Sequence, residues 1–169
     1  MKIPKDVVYF IPQYFDFGDG VEIFFINGEK RYAKQSIRTF IKNLYFIYAI
    51  DPDAVKRIIS DKIGIKNILP IVLPEVTFIP VKVRTPVIKS DPCSGYVNLS
   101  QIARIDGTLD RFDILLKCGA VLKCLGTIKL FNRKIFIASF LTDFMNDMWK
   151  EGTSMFAEQG ELENMFKMM

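Results

Sequence analysis

At 169 residues, half of them hydrophobic and a quarter charged, the chain has globular rather than disordered composition. It contains no histidine, which removes the usual histidine-activated nucleophiles and the commonest metal ligand, and Cys93, Cys118 and Cys124 lack the CxxC spacing of a zinc site. The net charge of +4 is uneven: residues 30–89 hold twelve Lys/Arg against four Asp/Glu, whereas residues 135–169 hold two against six. A basic body with an acidic end points to a polyanion partner rather than to catalysis.

Residues 7–11 form a short β-type run that Pro12 ends. Residues 21–26 and 30–33 flank Asn27-Gly28, the pair best suited to a two-residue type I′ turn in which both central residues take positive φ, so a hairpin is predicted. Over residues 35–48, Ile37, Phe40, Ile41, Leu44, Tyr45 and Tyr48 recur at three- and four-residue steps, the mark of a helix with one buried face. Lys34, Arg38 and Lys42 lie four apart on another face, a stripe that is either solvated or meets phosphates. Asp51-Pro52 opens a second helix as cap and first helical residue, and Gly64 stops it. Val55, Ile58, Ile59 and Ile63 point inward there, leaving Lys56, Arg57 and Lys62 for its other sides.

The middle is β-rich. Residues 71–73 and 76–84 read as strands, with Pro80 favouring an edge or a bulge in the second. A proline-containing loop through Pro86 and Pro92 precedes a strand over 96–105, and residues 112–117 and 120–125 form a hairpin around Cys118-Gly119. A long amphipathic segment then turns Leu141, Met145, Met148 and Trp149 inward; its start is open, because residues 129–137 also fit a strand pair turning at Asn132-Arg133. The expected class is α+β, mostly antiparallel, with two helices in the N-terminal half and a long C-terminal helix. Residues 1–150 are expected to form one domain, and 151–169 an acidic tail containing Met and Phe. No uncharged window reaches the length of a membrane span, and the first residues, Met1-Lys2-Ile3-Pro4, lack the apolar run of a secretory signal. A cytoplasmic protein without membrane, metal or cofactor is expected.

The order of motifs resembles the ComK family of competence transcription factors. The likeness runs from Ile11-Pro12 and the turn Asn27-Gly28-Glu29-Lys30 with Tyr32, through residues 34–48, to the basic pair Lys56-Arg57. It continues in Leu69-Pro70-Ile71-Val72-Leu73, Thr77-Phe78-Ile79-Pro80, Cys93 and Gly95-Tyr96-Val97-Asn98. Two departures stand out: Tyr96 takes the place of the family's tryptophan, and residues 51–55 replace its Gly- and Ser-rich stretch. The resemblance implies a non-enzymatic activator of transcription that binds AT-rich double-stranded DNA, partly through the minor groove, as a self-associating species. It also implies a nucleoid-associated population and docking of an adaptor and protease system through the C-terminal tail.

Phosphate contact calls for Lys and Arg, and a narrow AT-rich groove favours arginine. The candidates are Lys34, Arg38 and Lys42, then Lys56 and Arg57, then Lys82, Arg84 and Lys89 around the proline loop, with Arg57 or Arg84 as groove reader. The reading requires that cations of the two helices and the loop meet on one patch. Two other readings are a protein-interaction module without DNA, and a single-stranded nucleic-acid binder that stacks bases on some of the fifteen phenylalanines.

Overall fold

The computed structural model describes the backbone of residues 4–168 and the side chains of residues 4–152 and 167. Alternating apolar residues build a long first hairpin from β1 (Val7–Phe15) and β2 (Gly18–Phe25), which turns at Asp16-Phe17 with Gly18 at φ 115°. Pro12 does not end β1. From Ile11 onward the strand registers with β2 alone, and a strand with one open side tolerates a missing N–H. The hairpin of β2 with β3 (Lys30–Ala33) is present, but its turn is not type I′. Gly28 takes φ 84° while Asn27 does not enter the left-handed region; the Asn27 side-chain oxygen instead accepts the Glu29 N–H at 3.0 Å.

Helix α1 (Ile37–Ile47) starts at Ser36, whose hydroxyl accepts the Thr39 N–H, and buries Ile37, Leu44 and Tyr45. Lys34 therefore lies ahead of the cap and not on the helix, so the expected three-residue stripe shrinks to Arg38 and Lys42. Helix α2 (Pro52–Ile63) follows its local signals: Asp51 accepts the Asp53 and Ala54 N–H groups, and Gly64 closes the helix at φ 72°.

Two short strands, β4 (Ile71–Leu73) and β5 (Val76–Lys82), precede the proline loop, and β6 (Ser94–Asn98) follows it. Pro80 pairs with Tyr96 of β6, beyond the last residue of β5 that meets β4, so it sits where β5 is locally an edge. The single strand expected over 96–105 is broken. A 3-10 turn at Leu99–Gln101, capped by Asn98, separates β6 from β7 (Ile102–Gly107), which belongs to a different sheet. β8 (Arg111–Leu116) and β9 (Val121–Leu125) form the predicted hairpin, with Gly119 at φ 91°. The open choice at 129–137 resolves as helix: α3 runs from Ile128 to Met168.

The larger sheet has the order β3-β2-β1-β6-β5-β4 and the smaller β7-β8-β9, antiparallel in every pairing. Phe10, Val21, Ile23 and Phe78 of the larger sheet pack against α1 and α2. Val8, Tyr9, Ile79, Val81 and Val97 form a second core with Phe112, Ile114 and Leu122 of the smaller sheet. A register shift between Val7 and Tyr9 accompanies the placing of Val8 and Tyr9 in the same core. Helix α3 joins both cores, through Phe131 and Ala138 at one end and Leu141 and Met145 further on. The molecule is α+β, with two helices in the N-terminal half and a long C-terminal helix. In the tail expected over residues 151–169, the backbone to Met168 continues α3, while the side chains of residues 153–166, on which adaptor docking would depend, lie outside the described residues.

Candidate anion-binding cleft

On α1 the four-residue spacing of Arg38 and Lys42 keeps both on one flank while Ile37, Leu44 and Tyr45 face the sheet. On α2, Val55 and Ile59 face the sheet and Lys56 takes the flank turned toward α1. Arg38, Lys42 and Lys56 consequently line one open cleft of about 330 Å³, closed on its far side by Ile68, Leu69 and Pro70. Tyr45 and Tyr96 contribute to its lining, and burial raises both phenols above the usual tyrosine range, so they stay neutral hydrogen-bonding groups. Asp53 is the acidic residue of the lining. Among the described residues none of the three cations is held in an ion pair. A cleft with three free cations and one carboxylate favours an anionic occupant.

The other predicted residues do not line this cleft. Lys34 Nζ lies 5.3 Å over the Phe17 ring, toward the β1–β2 turn. Arg57 is exposed beside Lys56. Lys82, exposed at the end of β5, lines a separate apolar groove, and Lys89 is exposed in the proline loop.

Arg84 departs furthest from expectation. Its side chain is only 13% exposed, and Nη2 pairs with Asp19 at 3.0 Å. Nε donates to the Pro92 carbonyl at 2.8 Å, and the guanidinium carbon stands 3.9 Å from the Tyr14 ring centroid. Nη1 is buried without a hydrogen-bond partner. The guanidinium anchors the proline loop to the β1–β2 hairpin and has no free edge for a groove. The two helices converge as the reading required; the loop does not join them.

Sequence reasoning missed Asp53 and the tyrosines of the cleft, and it missed Arg133 and Lys134, which line the apolar groove with Lys82. Their role depends on α3 beginning at Ile128, where periodicity alone allowed strands. Among the described residues no group of three or more metal-ligating side chains comes together, and no helix is long and apolar enough to cross a membrane. No family model, curated protein or solved structure matches the chain.

Proposed function

We propose that the protein is a transcriptional regulator that binds double-stranded DNA, with the α1–α2 cleft as its phosphate contact. The observation that carries this reading is the convergence of Arg38, Lys42 and Lys56 on one open cleft, none of them in an ion pair among the described residues. Unpaired cations on two rigid helices meet a phosphate backbone without first breaking internal bonds, and each contact releases condensed counterions. Arg57, exposed on the next position of α2, is the candidate for entering a narrow groove, in place of the anchored Arg84. Preference for AT-rich sites and the role of activator come from the resemblance to ComK proteins. Self-association is supported by Phe136 and Phe140, exposed one turn apart on α3.

Gel-shift titrations of AT-rich duplex, GC-rich duplex and single strands over a salt series test the proposal. Preference for the AT-rich duplex with a steep salt slope is expected, and preference for single strands rejects it. A protein-interaction module is the second reading, favoured by the exposure of Phe46 as well as Phe136. Absence of nucleic-acid binding at low salt selects it.

A further inference from the structure

A second groove, of about 450 Å³, shares the lining residues Ile68, Leu69 and Pro70 with the cationic cleft. Its volume falls within the range of roughly 300–1,000 Å³ typical of small-molecule sites. Ile65, Ile68, Val81, Phe112, Leu130 and Ile137 contribute its apolar lining. Ile65, Ile68 and Leu130 are 41%, 61% and 56% exposed, so large aliphatic side chains present themselves to an open trough instead of packing on each other. Ile68 also holds φ 51°, a left-handed conformation that a β-branched residue rarely adopts.

Among the described residues the charges lining this groove have one sign: Lys82, Arg133 and Lys134, with no Asp or Glu. Lys134 is half-buried, its Nζ donates to the Pro80 carbonyl at 3.3 Å, and among the described residues it has no carboxylate partner. Burial lowers its pKa, the sign of an ammonium that has lost water without gaining a counter-charge. An apolar trough edged by cations and containing one underpaired ammonium suits an elongated apolar molecule that carries a single anionic end.

We propose that this groove is a binding site for an alkyl monocarboxylate, with the chain along Ile65, Ile68 and Leu130 and the carboxylate at Lys134. The site is independent of the DNA reading. The carboxylate supplies the missing counter-charge, and the alkyl chain covers the exposed aliphatic walls.

Decanoate, decanol and decyltrimethylammonium, each titrated into the full chain below its own aggregation concentration and followed by calorimetry, separate the contributions of chain and charge. Decanoate is expected to bind at one molecule per chain, about tenfold or more tighter than decanol, with the cationic analogue weakest. Lys134→Gln should reduce decanoate to the decanol level and leave decanol unchanged. Leu130→Ser, at a position 56% exposed, should weaken both. Equal affinity for decanoate and decanol, or decanoate binding unaffected by both variants, overturns the proposal. So does capture of the protein by phosphatidylglycerol vesicles without any binding of free decanoate.

Discussion

The Tyr14 hydroxyl donates to Asp91 Oδ2 at 2.7 Å, joining β1 to the proline loop 77 residues further along the chain. The same carboxylate oxygen accepts the Ile88 N–H at 2.9 Å, and the Val87 N–H reaches the Tyr14 hydroxyl at 3.3 Å. With Arg84 bound to Asp19, these bonds fix a loop that its prolines alone would leave without partners.

The Asp91 carboxyl is held below its usual range, first by the Ile88 N–H and then by the Tyr14 hydroxyl. A carboxyl with a depressed folded pKa adds stability above its ordinary value of about 4 and loses it as pH falls through the folded value. Acidification below about pH 4 should therefore release the loop locally, seen as faster amide exchange at Ile88. Tyr14→Phe should move the Asp91 titration, followed by carboxyl NMR, back toward the ordinary value.

On the proposed DNA reading, Arg38→Ala, Lys42→Ala and Lys56→Ala should each reduce the salt slope of duplex binding by about 1, because each would remove one proposed phosphate contact. Arg57→Ala should relax the preference for AT-rich sites more than it changes that slope. None of the four should alter the urea midpoint by more than about 0.5 kcal/mol equivalent, since among the described residues none is held in an ion pair.

Asn98 is 1% exposed and makes four hydrogen bonds: its amide donates to the Val7 carbonyl at 2.9 Å and the Lys5 carbonyl at 3.4 Å, and its oxygen accepts the Ser100 N–H at 3.0 Å and the Ser100 hydroxyl at 2.8 Å. Asn98→Ala strands a buried carbonyl and removes the cap of the turn between the sheets. A loss of about 2–4 kcal/mol is expected in urea unfolding.

The cysteines should separate by reactivity. Cys118 is exposed, whereas burial, with Asp113 nearby, pushes the Cys124 thiol up to about 12. At pH 8, alkylation should modify Cys118 in the folded protein and reach Cys124 only after denaturation, as peptide mapping would show.

Local signals were legible where the residues that decide an element are near one another. Asp51, Pro52 and Gly64 bound α2 at the residues expected of them because a cap, a first-turn proline and a left-handed stop act within one helix. The β1–β2 turn was not legible, since Asp16-Phe17 carries little turn signature and the deciding glycine, Gly18, lies one residue later. Strand order is non-local: β6 inserts between β1 and β5, and no short-range pattern states that. Arg84 misled for the same reason. Its fate is set by Asp19, 65 residues earlier, and by Tyr14, neither of which its sequence neighbours reveal. That Arg38 and Lys42 share a flank was legible because their four-residue spacing lies within one helix; that Lys56 of α2 lines the same cleft depends on how the two helices pack.

Ile68, Leu69 and Pro70 line both the cationic cleft and the aliphatic groove, so this segment is a shared partition between them. An occupant that shifts this partition from the aliphatic side reshapes the chamber on the basic side. If both proposed ligands bind and the partition shifts, thermodynamic reciprocity requires that polyanion and alkyl carboxylate alter each other's affinity by the same factor, whichever arrives first.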